Sequence, residues 1–241
     1  MKQVGFSVGD TIKLYWLFKA QHGAINPKQL YDEYTQQFPG RKMAYDYMAR
    51  IAKKLTTDGL LTVSLDKNKK MYMTTAEGKD VHRKYENLYY EQFSEIQKVL
   101  ERLYFHLTKN GEQPSLPDKQ LPNEFRAYFA KLMSVKDIVR YMVFSLGQTR
   151  TEFYVAEVNE QLQLLFGWSP SNAYLYEIAR EMEAEGTIKG RWKEPDKRTI
   201  RVITVTDEGV IFSKQVTQSL TESVKETLHH INYILYFIRE S

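Results

Sequence analysis

Apolar and polar positions along the chain follow two periods, and the order in which the periods change occurs twice. Thr11 to Phe18 and Asp137 to Phe144 each read as an amphipathic opening helix. Further on, Met48, Ile51 and Leu55 recur at helical spacing, as do Leu175, Ile178 and Met182, so these faces are predicted to point into a core. Gly59 and Gly186 follow, as residues that end a helix in the left-handed region. The period then drops to two. Leu61 to Leu65 and Met71 to Thr75 flank a charged tip, Asp66 to Lys70, and Ile188 to Trp192 and Ile200 to Val205 flank another, Lys193 to Arg198. Thr75-Ala76-Glu77-Gly78 and Thr206-Asp207-Glu208-Gly209 lead into long helical stretches, from about Ala76 to Lys109 and from about Asp207 to Arg239.

Helix starts support this division. Asn26-Pro27 is predicted to open the second helix of the first copy, and Ser169-Pro170 the third helix of the second, each as a cap followed by proline at the first helical position. Gly111 to Pro122 carries three prolines and polar residues and reads as a linker. The domains expected are a first unit over 1–110, a connector over 111–133 and a second unit over 134–241. The fold class is mainly α with small β-hairpin wings, α+β overall: tandem winged helix-turn-helix units, each followed by a long helix. Val99, Leu103 and Leu107, and Leu228, Ile231, Leu235 and Ile238, need covering, so the long helices are expected to build an intrachain pseudo-dimer or a homodimer.

The chain has 241 residues and 13% aromatic content, enough large side chains to fill two small cores. With no cysteine there is no disulfide, thiolate metal site or thiol nucleophile, which fits the cytoplasm. Neither a leader-like N-terminus nor a membrane-length apolar run is read, so neither export nor membrane insertion is expected. Charge is uneven: residues 1–110 hold 18 Lys and Arg against 12 Asp and Glu, whereas residues 134–241 hold 13 against 15. The first half is therefore the expected side for a polyanion.

In the first copy the third-helix face opposite the core presents Lys42, Tyr45, Asp46, Ala49, Arg50 and Lys53, with Arg41 just ahead of it and Lys67, Lys69 and Lys70 on the hairpin tip. Lysine and arginine at these places contact phosphates or guanine edges, and Tyr45 adds a phosphate hydrogen bond. Such runs are otherwise ordinary solvated surface. The second copy offers Ser171, Asn172, Tyr176 and Arg180 beside Glu177 and Glu181, with Lys193, Lys197, Arg198 and Arg201 on its hairpin. Asn172 suits bidentate reading of adenine; equally, the acidic helix suits a protein partner. His229 and His230 are adjacent on a helix and point about 100° apart, unlike ligands at i and i+4. No phosphate-cradling glycine loop or nucleophile elbow is present, so no enzyme, metal or cofactor is expected.

Trp168-Ser169-Pro170-Ser171-Asn172, Glu183-Ala184-Glu185-Gly186-Thr187-Ile188 and Thr204-Val205-Thr206-Asp207-Glu208-Gly209 resemble the winged-helix domain of PadR-type transcriptional regulators. The resemblance covers roughly 136–214 and, more loosely, its counterpart in the first copy. That family usually carries one winged helix, whereas this chain has two. The resemblance implies a sequence-specific double-stranded DNA-binding regulator, a repressor associated with the bacterial nucleoid. Alternatives are a plasmid or phage replication or segregation protein, and a winged-helix scaffold for protein partners.

Overall fold

The computed structural model describes residues 6–38, 43–116, 123–194 and 200–239. Its elements are α1 (Val8–His22), α2 (Pro27–Gln37), α3 (Tyr45–Thr57), β1 (Leu61–Asp66), β2 (Lys69–Thr74), α4 (Ala76–Thr108), α5 (Asn123–Leu132), α6 (Val135–Gly147), β3 (Phe153–Tyr154), α7 (Val155–Phe166), α8 (Asn172–Ala184), β4 (Ile188–Trp192), β5 (Arg201–Val205) and α9 (Asp207–Arg239). The chain is mainly helical with antiparallel sheets of two and three strands, an α+β arrangement. It divides into two compact units: 1–94 with 230–241, and 95–229. Each unit thus takes in the far part of the long helix that begins in the other.

In unit 1, α1 opens on a reciprocal cap. The Asp10 amide donates to Ser7 Oγ at 3.1 Å and the Ser7 amide to Asp10 Oδ2 at 2.9 Å. α2 opens as expected, with Pro27 first and Asn26 Oδ1 accepting from the Lys28 and Gln29 amides, both at 3.0 Å. The reading of α1 as amphipathic is corrected: Ile12, Leu14, Tyr15, Trp16 and Leu17 are all 0% exposed. The tail of α9 supplies the reason, since Tyr233 and Phe237 lie against the Tyr15 ring and Tyr236 against Phe18. On another side the Trp16 indole donates to the Met48 carbonyl of α3 at 3.1 Å and meets the Tyr72 ring edge-on.

β1 and β2 pair from Leu61↔Thr74 to Asp66↔Lys69. The loop is therefore only Lys67 and Asn68, both in the left-handed region (φ 46° and 66°), tighter than the five-residue tip read from the sequence. Ile25 and Tyr72 exchange backbone hydrogen bonds at 3.1 and 2.9 Å, which puts a third extended segment beside β2.

Unit 2 repeats the plan. β3 pairs with β5 at Phe153↔Ile203, and β5 with β4 from Ile188↔Val205 to Trp192↔Arg201. Phe153 stands where Ile25 stands in unit 1. Neither third strand is long enough to show a period of two, so the alternation in the sequence does not reveal it. A ten-residue helix, α5, lies within the segment read as a connector, and its Phe129 ring packs on Trp168 at 4.9 Å. The start of α8 is also corrected. Ser171 is the cap, with its Oγ accepting from the Tyr174 amide at 3.3 Å, so Ser169 and Pro170 precede the helix. The tail of α4 belongs to this unit: Arg102 donates to the Leu165 carbonyl and His106 Nδ1 lies 2.7 Å from the Tyr141 hydroxyl.

The turn from third helix to hairpin is the same in both units. Gly59 and Gly186 have φ of 73° and 75°; their amides donate to Thr56 and Glu183 carbonyls, and the next amides to Leu55 and Met182 carbonyls, at 2.8–3.1 Å. The Thr75 and Thr206 hydroxyls each donate to that glycine's carbonyl at 2.7 Å. The same hydroxyls accept from the amides of Gly78 and Gly209, at 3.0 and 3.1 Å, and so cap α4 and α9. A Cβ on Gly78 would stand 2.2 Å from the Leu60 carbonyl oxygen, and one on Gly209 2.1 Å from that of Thr187. The repeated Thr-x-x-Gly spelling is thus one joint locking hairpin, turn and long helix together.

Candidate nucleic-acid interface

Unit 1 carries a groove of about 590 Å³ bounded by the first turn of α2, the outer face of α3 and the hairpin. Lys28, Lys53, Lys69 and Lys70 line it, with Tyr45 at one wall and Asp46 as the carboxylate among its described residues. These side chains meet because Met48, Ala52 and Leu55 turn the opposite face of α3 into the core. β2 is held beside α2 by the Ile25–Tyr72 bridge. The positive end of the α2 dipole adds to the field in the groove.

Tyr45 is 43% exposed and its ring lies edge-on to Tyr31 at 5.8 Å. Arg50 and Lys53 are exposed on α3, the former with its guanidinium 5.1 Å from the Tyr47 ring centre. Lys67, Lys69 and Lys70 are exposed on the hairpin. Among the described residues none of Arg50, Lys53, Lys67, Lys69 and Lys70 has an ion-pair partner. Lys28 does: its Nζ is 2.7 Å from Asp32. Sequence reading passed over Lys28, although its place just after the Asn26-Pro27 helix start marks it. Arg41 and Lys42 lie outside the described residues.

The corresponding face of unit 2 is differently wired. Ser171 is occupied as the α8 cap, and Asn172 Oδ1 accepts from Asn159 Nδ2 at 2.8 Å. Tyr176 is half-buried, and exposed Arg180 donates from Nε to the Tyr176 carbonyl at 3.3 Å. Lys193 reaches the Tyr154 hydroxyl at 3.3 Å. Arg201 points away from solvent: it pairs with Glu183 and lies over the Trp192 ring, its side chain only 17% exposed. Lys197 and Arg198 lie outside the described residues.

Further pairs surround it. Lys136 meets Glu181 and Arg140 meets Glu185, each at 2.5 Å, and Arg191 meets Glu152 at 2.8 Å. The acids of α8 and its following turn, apart from exposed Glu177, are thus answered from within unit 2. The Lys136 ammonium holds the Glu181 carboxyl below the usual carboxylate range. The sequence shows this helix as acidic, but its pairing partners 18 to 45 residues away are not visible as a local pattern.

Among the described residues no three His, Asp or Glu side chains are grouped to hold a metal ion. Nor is any described helix long and apolar enough to cross a membrane. No protein-family model matches the chain, and no curated protein is similar to it in sequence.

Proposed function

We propose that the chain is a sequence-specific double-stranded DNA-binding regulator built of two winged-helix units, and that unit 1 is the one that grips DNA. The observation carrying this reading is the cluster of exposed cations without counter-charges around one concave face of unit 1. The three-helix order, the third strand between the first and second helices and the hairpin after the third helix support the winged-helix description. In that description α3 lies in a major groove and the β1–β2 hairpin follows the adjoining backbone. Lys53 and Arg50 then meet phosphates or guanine edges, and Tyr45 adds a phosphate contact.

Electrostatics decides between the units. A cation already answered by a carboxylate must break that pair before it can displace a counterion from DNA, whereas a free one neutralises a phosphate directly. Lys53, Lys69 and Lys70 are of the second kind, while Arg191 and Arg201 are of the first. Unit 2 keeps Arg180 and Lys193 for a supporting contact, and the internal neutralisation of its acids leaves it close to indifferent to phosphate. The repressor role rests on the resemblance of roughly 136–214 to the winged-helix domain of PadR-type regulators.

The test is fluorescence anisotropy with genomic fragments at several salt concentrations, comparing the full chain with Lys53→Gln, Lys69→Gln, Lys70→Gln and with Arg180→Gln, Lys193→Gln. The unit 1 triple variant is expected to reduce the slope of log affinity against log salt by roughly 3, one for each phosphate that is no longer neutralised. The unit 2 variant is expected to change it by about 1 or less. Binding that ignores the triple variant, or no binding even at low salt, overturns the reading.

A further inference from the structure

Leu65 is 74% exposed and Val63 46%, the two standing at alternate positions on one face of β1. Single exposed apolar side chains are common and need no cause. This one is set on a tip whose other features point to a ligand. Lys70 stands opposite Leu65 in the ladder, Lys67 is in the turn and Lys69 is on the other face, all three exposed and without ion pairs among the described residues. The two-residue turn makes the tip narrow. Asp66, on the other face of the strand, sits opposite Lys69 in the ladder.

The second hairpin gives an internal control. Leu65 pairs with Lys70 in unit 1; in unit 2 the matching pair is Trp192 with Arg201. There the arginine roofs the tryptophan ring at 5.0 Å and is itself held by Glu183. The position equivalent to Glu183 in unit 1 is Thr56, which has no charge to hold Lys70, and Leu65 stays uncovered. A broad apolar protein surface placed on this tip would have to strip water from three ammonium groups without answering their charge. A polyanion with a narrow apolar interior answers both.

We propose that the β1–β2 tip is a minor-groove wedge: its lysines straddle the phosphates while Leu65 presses into a base step, partly unstacks it and bends the duplex away from the protein. The proposal rests on the reading of unit 1 as DNA-binding and adds a source of specificity to it. Pyrimidine–purine steps such as TA unstack most readily, so the hairpin selects them through deformability, with no hydrogen bond to a base.

The probe is a 30-base-pair duplex recovered from a random pool by binding to the full chain, carrying a fluorescent donor and acceptor at its ends. The wild-type protein is expected to shorten the end-to-end distance, as a kink of roughly 20–90° does. Leu65→Ser is expected to melt at the wild-type temperature, to bind within about tenfold, and to leave the duplex straight. Leu65→Phe restores the bend. Changing the TA step nearest the hairpin to AA weakens the wild-type protein but not Leu65→Ser. A bound but unbent duplex, or equal bending by Leu65→Ser, overturns the wedge and leaves DNA binding standing. Loss of self-association in Leu65→Ser with bending intact would make the tip a protein-docking element and also overturns it. Failure to recover any duplex overturns both readings.

Discussion

At the scale of single residues, the repeat is held by two threonines and two pairs of glycines whose reasons are different from one another. Gly59 and Gly186 have open space where a Cβ would go, so only their left-handed φ resists substitution; Gly78 and Gly209 sit in ordinary helical backbone but against a carbonyl oxygen. Gly59→Ala is expected to cost about 1–2 kcal/mol from backbone strain alone. Gly78→Ala forces backbone apart and is expected to cost about 1–3 kcal/mol, with part of the effect shared by the hairpin, because the clash partner is Leu60. Thr75→Val keeps the branching and removes the hydroxyl that serves both neighbours, for about 1 kcal/mol. Urea midpoints of the three variants check this. A Gly78→Ala protein as stable as wild type would mean the joint gives way easily. The spelling Thr-x-x-Gly was legible in the sequence, but the reason for its glycine was not, since the blocking carbonyl, of Leu60 or Thr187, lies far outside the motif.

Elements were legible where their signals are local. The long helices, the cap at Asn26 and the left-handed helix ends all follow from residues within a turn or two of each other. What failed was set by distant chain. α1 reads as amphipathic, yet its central turn, Leu14 to Leu17, is buried on every side, and residues more than two hundred positions later pack on it. α8 starts at Asn172 because Ser171 is better placed than Ser169 to accept an amide of the first turn. Arg201 looks like a hairpin cation, and only the fold brings Glu183 to it. This last pair gives an element-level prediction. Glu183→Gln releases Arg201 from β4–β5 and makes the second hairpin available to phosphate. The slope of log affinity against log salt is expected to steepen by about 1. An unchanged slope would show that unit 2 stays away from DNA even when its charge is freed.

Over the whole molecule, burial lowers the pKa of one histidine in each unit, His82 in unit 1 and His106 in unit 2, and this makes stability depend on pH in both. In unit 1, His82 Nε2 lies 2.7 Å from the Phe237 carbonyl, which can only accept, so Nε2 carries the proton; Nδ1 is buried without a partner. Burial holds its pKa below the ordinary histidine value, the carbonyl bond offsetting only part of this. In unit 2, burial followed by the Lys109 and Arg102 charges lowers His106 to about 4. Both folded values lie below the unfolded one, so as pH falls the unfolded chain takes up protons first. Stability is therefore present in full above the ordinary histidine range and is lost on acidification, down to about pH 4 for His106. Glu101 works the other way, since burial raises its carboxyl, so the histidine effect must be read by difference. His106→Gln keeps a polar side chain facing Tyr141 and is expected to remove on the order of 1–2 kcal/mol of the destabilisation between pH 7 and 4.5, after allowance for water reaching the ring. His82→Gln is expected to lessen the acid sensitivity of unit 1 in the same direction. Trp16 reports on unit 1, and Trp168 and Trp192 on unit 2, so tryptophan-to-phenylalanine backgrounds assign each change to its unit in urea titrations. Parallel pH profiles for wild type and His106→Gln would show that the acid sensitivity of unit 2 comes from its carboxylates instead.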